Sequence, residues 1–299
     1  MNGAEGPDPA YEVEGLLERH WGLSAEVMEL APGSQARAWA VKSGTRRLVL
    51  RAAQDSAEHF ELGLRASQLV DRDVLPAGPP VTAIDGSLMV VLPGDGLPTC
   101  LALLRFVPGY QLPLAGQSVV DLGRLLARIH RSLRGLAGPG AWTVPDGLAH
   151  SRAGLLSEHP SWVGDFLAET TGLVTWWLAG HDSSRDQMLR GDGPELLGRA
   201  DGTWTGMIDW GAITFGPVMV DIGCWTAHLG RLHSHRYRET TDEFVTGYRQ
   251  EAELSEEDVT AVPHFQRLLL SSRAPYQADP GVLDVFRDWI DHWCTSVAT

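Results

Sequence analysis

Residues 189–210 read LRGDGPELLGRADGTWTGMIDW, and this stretch decides how the rest of the chain is interpreted. It contains two aspartates, Asp192 and Asp209, each beside a short apolar run. The residues between them predict a strand, a turn at Ala200-Asp201-Gly202 and a second strand, and such a hairpin brings its two ends together in space. We therefore expect the two carboxylates to lie near each other at the open end of a hairpin.

A pair of carboxylates in this position fits two interpretations. In phosphoryl transfer, one carboxylate orients the attacking hydroxyl and accepts its proton, while the other holds the Mg²⁺ that bridges the phosphates. In a purely structural interpretation, Asp192 begins a turn and Asp209 caps the segment after it, which are common roles of aspartate. The hairpin alone leaves both interpretations open, so the surrounding sequence has to separate them.

Strand patterns dominate the chain before this stretch. Residues 25–53 contain three apolar or alternating runs separated by glycine-bearing turns, which is the pattern of an antiparallel meander. Residues 56–70 carry apolar side chains at helical spacing and predict one amphipathic helix. Two further strands are expected within residues 87–93 and 100–107. The first hundred residues are thus predicted to form a sheet with one helix.

Helical patterns dominate the chain after residue 106. Residues 117–136 and 160–180 have apolar side chains at helical spacing, and long helical segments follow from Asp221 to the end. The chain therefore divides into a β-rich N-terminal part, residues 1–105, and a mostly helical C-terminal part, residues 106–299. This division predicts an α+β fold.

Composition excludes several classes of function. With 299 residues, 43% of them hydrophobic and 21% charged, the chain has a globular composition, and it lacks the run of about 18 apolar residues that a membrane span needs. A formal net charge of −14 argues against nucleic-acid binding, which depends on clustered Lys and Arg. The charge is compatible with a cationic substrate, although more often it only keeps a protein in solution.

The cysteines and the N-terminus bear on the compartment. Cys100, Cys224 and Cys294 are far apart and form no CxxC pair, so neither a zinc site nor a disulfide framework is predicted. The N-terminus, MNGAEGPDPAYEVEG, has neither a basic start nor an apolar stretch, and we expect a short flexible lead-in without a secretion signal. A reducing cytoplasm fits these features best.

Together the motifs resemble those of the aminoglycoside phosphotransferase and homoserine-kinase-like family. Its members carry HGDxxxxN, a hairpin and then IDW or IDF, and here RGDGPE, LLGRADGTWTG and MIDW stand in that order. FGPVMVDIG is similar to the family's G-P-x-x-x-D-L stretch, FELGLRASQLV to its E-L-x-x-L helix, and LLRFVPGYQL to its interlobe hinge. The resemblance covers roughly residues 20–250, and it implies a protein-kinase-like fold with two lobes.

The resemblance implies roles for individual residues near the hairpin. Asp192 would be the catalytic base or would orient the acceptor hydroxyl, and Asp209 would be the principal Mg²⁺ ligand. Asp221 would brace the catalytic loop. Glu61 would pair with a basic residue on the third strand, and the matching position is Arg51, whose guanidinium fork suits phosphate oxygens.

The nucleotide site that the resemblance implies lies in the N-terminal part. The loop PGSQARAW would cover the phosphates, with Gly33 and Ser34 giving backbone N–H groups room to approach. Leu104 and Phe106 lie in the segment similar to the hinge, and we place them among the nucleotide-binding residues. The cofactors implied are ATP or GTP together with Mg²⁺.

Three departures from the family pattern bear on activity. Arg190 replaces the family histidine, and we place it with Asp192 in the catalytic set; Arg51 stands where relatives often have lysine. The asparagine that supplies the second metal contact is missing, and in an alignment with a shorter loop Glu195 takes its place as a Mg²⁺ ligand. The alternative is a surface glutamate beside Pro194. A shortened loop can also misplace Asp192, so a non-catalytic kinase-like module is the alternative to an active enzyme.

We therefore expect transfer of the γ-phosphoryl group of ATP or GTP to a hydroxyl of a small polar molecule, with no nucleic-acid or membrane partner. Acidic residues of the C-terminal part would attract an amino-bearing acceptor such as an aminoglycoside. The alternative, which suits most of them better, is that they are solvated helix faces. These residues are Glu158, Asp165, Glu169, Asp242 and Glu243.

Overall fold

The N-terminal part folds into a five-stranded antiparallel sheet with the strand order β1-β2-β3-β5-β4. The computed structural model describes residues 9–30, 36–93, 96–153, 159–232, 236–273 and 287. The strands are β1 Glu26–Glu29, β2 Ala36–Ser43, β3 Arg46–Gln54, β4 Val90–Leu92 and β5 Thr99–Arg105. The predicted meander and the two later strands are confirmed. The boundary between the two parts stays a prediction, and β5 ends beside it.

The predicted amphipathic helix is α2, Ala57–Asp73. It begins at Ser56, whose hydroxyl accepts the N–H of His59 and so satisfies one of the unpaired donors of the first turn. Phe60 and Leu64 lie one turn apart and pack with Cys100 and Ala102 on one face of the sheet.

A second helix covers the opposite face of the sheet. α1, Pro9–Trp21, contributes Val13, Leu17 and Trp21 to a core that also contains Leu101 and Leu103 of β5. These two leucines alternate along β5 with the residues that face α2, so they point to the other side. The prediction of a flexible lead-in was therefore wrong from Pro9 onward, because apolar residues recur every fourth position and bury one side of a helix.

Six α-helices lie in the described segments of the C-terminal part. They are α3 Val119–Leu133, α4 Val144–Ala153, α5 Ser161–Gly180, α6 Met219–Leu232, α7 Tyr237–Arg249 and α8 Glu256–Arg273. Trp225, Phe244 and Phe265 lie in the centre of one continuous core. α3 and α7 approach closely, since a Cβ on Gly123 would lie 2.1 Å from the carbonyl oxygen of Phe244.

The described residues of the C-terminal part also form six short strands, two of which are the predicted hairpin. Two three-stranded sheets have the orders β10-β9-β6 and β7-β11-β8. Their strands are β6 Tyr110–Gln111, β7 Trp142–Thr143, β8 Gln187–Leu189, β9 Leu196–Gly198, β10 Trp204–Met207 and β11 Thr214–Gly216. β9 and β10 pair antiparallel, which confirms the hairpin, and the loop between β8 and β9 carries Asp192.

None of the described helices combines the length and the apolar composition that a membrane span requires.

Candidate active site

The loop from Arg190 to Glu195 is braced by one buried carboxylate. Asp221 lies at the start of α6 and is fully buried. Its Oδ2 accepts the backbone N–H of Arg190 and its Oδ1 accepts that of Gly191, both at 2.8 Å. Gly191 has a φ of 77°, a left-handed conformation that glycine adopts without strain. The bracing role that the resemblance implied for Asp221 thus fits the hydrogen bonds.

A buried histidine and tyrosine hold Asp221 in turn. His130 of α3 donates from Nε2 to Oδ2 of Asp221 at 3.0 Å, and its Nδ1 accepts the hydroxyl of Tyr248 at 2.9 Å. Burial, reinforced by the charge of Asp221, raises the pKa of Tyr248, so its hydroxyl stays protonated and acts as the donor. Three helices therefore fix the carboxylate that fixes the loop.

The buried side chain of Arg190 connects the loop before the predicted hairpin with the segment after it. Its side chain is fully buried and donates to the carbonyl oxygen of Gly193. It also donates to the carbonyl oxygens of Ile208 at 3.0 Å and Asp209 at 3.1 Å. The structure corrects the prediction that Arg190 belongs to the catalytic set. A guanidinium enclosed by backbone carbonyls positions the segments carrying Asp192 and Asp209 and does not face a substrate.

Asp192 occupies the centre of this loop and is half-buried. Its Oδ1 accepts the N–H of Gly193 at 2.7 Å, and its backbone carbonyl accepts the indole N–H of Trp225 at 3.0 Å. Both the backbone and the carboxylate are thus oriented by neighbouring donors. A carboxylate held in this way can orient a hydroxyl group and accept its proton without first reorganising.

Asp209 lies at the other end of the hairpin in a strained conformation. Its φ of 63° makes it the single non-glycine residue with positive φ among the described residues. Its side chain is 54% exposed, and Oδ1 lies 3.2 Å from Nη2 of Arg51 on β3. Strain of this kind occurs at ligand-binding sites, where the surrounding structure maintains it. The predicted metal ligand is therefore presented outward, opposite the guanidinium of the N-terminal sheet.

The predicted ion pair between Glu61 and Arg51 is wrong. Glu61 pairs with Arg65 at 2.5 Å, while the guanidinium of Arg51 lies between Asp209 and the ring of Phe60. Phe60 faces the sheet, and the next residue of a helix points about 100° away from it. Glu61 therefore reaches the residue four positions along α2 instead of β3.

His59 was missed by the sequence analysis, although it links α2 to the segment after Asp209. Its Nε2 lies 3.0 Å from the carbonyl oxygen of Gly211, and its Nδ1 lies 3.0 Å from that of Gly140. The ring is buried, and Oδ2 of Asp55 is 4.0 Å from Nε2. The sequence feature that could have indicated its burial is its position next to the apolar Phe60 at the start of an amphipathic helix.

Glu195, the substitute metal ligand, is held by the strand after the hinge. Gln111 of β6 donates to its Oε2 at 2.6 Å, and its backbone carbonyl accepts the N–H of Ile208 at 3.1 Å. Among the described residues, the carboxylates of Asp192, Glu195 and Asp209 do not come within 4.8 Å of one another as a group. Glu195 as a metal ligand stays a prediction.

Two other predicted nucleotide residues, Leu104 and Phe106, lie at the end of β5. Leu104 belongs to β5 and is half-buried, and the ring of Phe106 lies 3.8 Å below the guanidinium carbon of Arg47. Gly33 and Ser34 lie outside the described residues. The arrangement thus leaves Arg51 and the exposed carboxylate of Asp209 as the charged pair between the N-terminal sheet and the hairpin.

The model of the phosphotransferase enzyme family matches residues 26–261, which is most of the chain. The chain belongs to this family. Membership confirms the resemblance drawn from the motifs, and it makes the protein a phosphotransferase. No curated protein matches the chain.

Solved structures share the fold of this phosphotransferase. An aminopropanol kinase associated with a microcompartment is 19% identical with a TM-score of 0.75, over 95% of both chains. An amicoumacin kinase in complex with AMP-PNP, Ca²⁺ and Ami is 14% identical with a TM-score of 0.75, over 93% of this chain and 92% of that one. An aminoglycoside phosphotransferase with AMP-PNP and hygromycin B is 14% identical with a TM-score of 0.60, over 96% and 97%. The predicted α+β, kinase-like fold is confirmed.

Proposed function

We propose that the protein transfers the γ-phosphoryl group of ATP, or of GTP, to a hydroxyl of a small amino-bearing molecule, with Asp192 as the catalytic base. The observation that carries this proposal is the braced loop. Asp221 and Arg190 fix the backbone on both sides of Asp192, and Arg51 forms an ion pair with Asp209. Catalysis of phosphoryl transfer is almost entirely positioning and electrostatics, which is what these contacts supply.

On the acceptor side, Asp192 orients the substrate hydroxyl and takes its proton as the new O–P bond forms. The bond from the γ-phosphorus to the β,γ-bridging oxygen breaks at the same time, and ADP or GDP leaves. The N–H of Gly193 on Oδ1 keeps the carboxylate from rotating. Removing the hydroxyl proton makes the oxygen a better nucleophile, and holding it in line with the departing nucleoside diphosphate reduces the entropy cost of the reaction.

On the phosphate side, the guanidinium fork of Arg51 suits phosphate oxygens, and Asp209 with Glu195 would hold Mg²⁺. The outward, oxygen-only carboxylate of Asp209 fits a hard cation, whereas Glu195 would have to exchange its hydrogen bond to Gln111 for the metal. Bound Mg²⁺ neutralises negative charge on the phosphates. The nucleotide would be held by Leu104, Phe106, Gly33 and Ser34.

An amino-bearing acceptor is supported by charge. The chain has a net charge of −14, and the similar structures include kinases named for aminopropanol and amicoumacin. Within the predicted acidic set, Glu169 pairs with Arg267 and Glu243 pairs with Arg236. Asp165 and Asp242 are therefore the better candidates for contact with a cationic group, and Glu158 lies outside the described residues.

We also place the enzyme in the cytoplasm. Cys100 and Cys224 are buried thiols, which suits a reducing compartment. The same compartment supplies the nucleoside triphosphate that the reaction needs.

The test is a transfer assay with γ-labelled ATP or GTP, Mg²⁺ and a panel of aminoglycosides, amino alcohols, other antibiotics and sugars. We expect a labelled product with an amino-bearing acceptor, loss of product with EDTA, and loss of product in Asp192→Asn. The matched control is Asp201→Asn, because Asp201 holds the hairpin turn through the N–H of Thr203 and lies outside the site.

The alternative is a kinase-like module that binds a ligand without catalysis. It is favoured by Arg51, which is already paired with Asp209, and by Glu195, which is already bonded to Gln111. Nucleotide binding by calorimetry without labelled product from any acceptor would establish this alternative and reject the proposed activity.

A further inference from the structure

Three side chains of different chemistry meet beside the loop that carries Asp192. Ligand atoms of Asp192, Cys224 and His228 all lie within 4.8 Å of one another. Cys224 and His228 are four residues apart on α6, so they share one face of the helix, and that face points at the loop. The cysteine spacing in the sequence gives no sign of this group, because its third member comes from another element.

Packing holds the three side chains in this arrangement. The indole of Trp225, next to Cys224, binds the backbone carbonyl of Asp192 at 3.0 Å. Gly193 lies against the imidazole of His228, where a Cβ would be 2.5 Å from Nε2. A larger residue at position 193 would require the imidazole to shift, so the loop and the helix face are in close contact next to Asp192.

The donor set differs from the one that Mg²⁺ prefers. A thiolate, an imidazole and a carboxylate are typical Zn²⁺ ligands, whereas Mg²⁺ takes oxygen ligands. The thiolate and the carboxylate together balance the two charges of the metal. The ligand atoms of a tetrahedral zinc site lie about 3.3–3.8 Å apart. Side-chain rotations that move the three ligand atoms by about 1 Å would bring them to this spacing.

We propose that Asp192, Cys224 and His228 form a Zn²⁺ site, and that bound zinc inhibits the enzyme by withdrawing Asp192 from the acceptor. On binding, the Cys224 thiol releases its proton to solvent and its sulfur becomes a metal ligand. The inhibition rests on the proposed role of Asp192 as base. The metal binding does not, and the two are tested separately.

Metal binding is tested with Co²⁺ as a spectroscopic probe for the zinc site. Wild type should develop near-ultraviolet thiolate-to-cobalt absorption that Zn²⁺ displaces, and Cys224→Ser should lose this absorption. His228→Gln and Asp192→Asn should weaken binding about tenfold or more. Cys100→Ser is the matched thiol control and should keep the spectrum, since Cys100 lies in the N-terminal sheet. A band that persists in Cys224→Ser, or none in folded wild type, would overturn the site.

Inhibition is then tested with transfer assays at fixed Mg²⁺ and ATP. Cys224→Ser and Cys224→Ala should keep wild-type turnover and need about tenfold more Zn²⁺ for inhibition. Equal zinc sensitivity in all variants, or inhibition that excess Mg²⁺ relieves, would show that zinc acts at the nucleotide site and overturn the inhibitory role. If no acceptor is phosphorylated, the proposed function fails while the cobalt spectrum still decides the site.

Discussion

The two sides of the candidate site are built in different ways. On the acceptor side, the loop of Asp192 is held by fully buried Asp221 and Arg190. On the proposed phosphate side, Asp209 is 54% exposed, and within the described part of the chain its carboxylate forms one ion pair, with Arg51. The comparison indicates that Asp192, the base we propose, is held in place by the protein itself. The phosphate side keeps the carboxylate of Asp209 accessible to the metal we propose there.

The largest effect among the supporting groups is expected at the phosphate side, in Asp209→Asn. Removing the carboxylate takes away several kcal/mol of charge stabilisation, so kcat/KM should fall by about 10²–10³. Steady-state transfer rates over a range of Mg²⁺ concentrations measure this. Asp201→Asn serves as the control. If Asp209→Asn kept wild-type rates at all Mg²⁺ concentrations, Asp209 would not be a metal ligand.

Asp221→Asn should act on the acceptor side through both stability and rate. The amide cannot accept all three donors that Asp221 receives, and it leaves the buried network incomplete, which costs about 3 kcal/mol of the free energy of unfolding. Urea denaturation and kcat are the measurements. The control is Asp186→Asn, which breaks a similar Asp–His pair with His181 away from the loop. Equal loss of kcat in both variants would contradict the bracing role.

Arg51→Met should raise KM for ATP about tenfold with a smaller change in kcat, since a charged hydrogen bond contributes about 1.5–3 kcal/mol. Arg51→Lys should be intermediate, because lysine keeps the charge and loses the fork. Glu61→Gln is the matched control, since Glu61 pairs with Arg65. If Glu61→Gln raised KM for ATP as much as Arg51→Met, the result would support an ion pair between Glu61 and Arg51 and contradict the structure.

The smallest effect is expected away from both sides, at the start of α8. Ser255 and Asp258 form a capping box, and Arg185 binds the same carboxylate at 2.6 Å. Burial raises the pKa of Asp258, but hydrogen bonds from Ser255 and Arg185 outweigh it, and the pKa lies below its ordinary value. Asp258→Asn should therefore cost about 1 kcal/mol at pH 7 and leave kcat unchanged.

The pH dependence of this last effect has a definite sign. A carboxylate with a depressed pKa stabilises the folded state above its unfolded pKa of about 3.9, and this contribution disappears as the pH falls through the folded pKa. The difference in unfolding free energy between wild type and Asp258→Asn should therefore shrink as the pH is lowered below 4. A difference that stays constant would assign the effect to the hydrogen bonds alone.

Much of the fold was predictable because it depends on local pattern. The hairpin of β9 and β10 follows from alternating runs around a glycine turn, and α2 follows from apolar residues at helical spacing. The bracing by Asp221 came from motif order. The directions of Arg190 and Glu61 were not predictable, because each depends on which carbonyl or side chain the tertiary packing brings near. The proximity of Cys224 and His228 to Asp192 was not predictable either, because it depends on how α6 packs against the loop.

The most direct measurement is single-turnover transfer by Asp192→Asn with saturating Mg²⁺ and ATP, together with the Kd for ATP by calorimetry. If Asp192 is the base on a preformed loop, the transfer rate should fall by about 10²–10⁴ while the Kd for ATP stays at the wild-type value. Asparagine keeps the size of the side chain, so the loop should be unchanged. A transfer rate equal to that of wild type would contradict the assignment of Asp192 as the base.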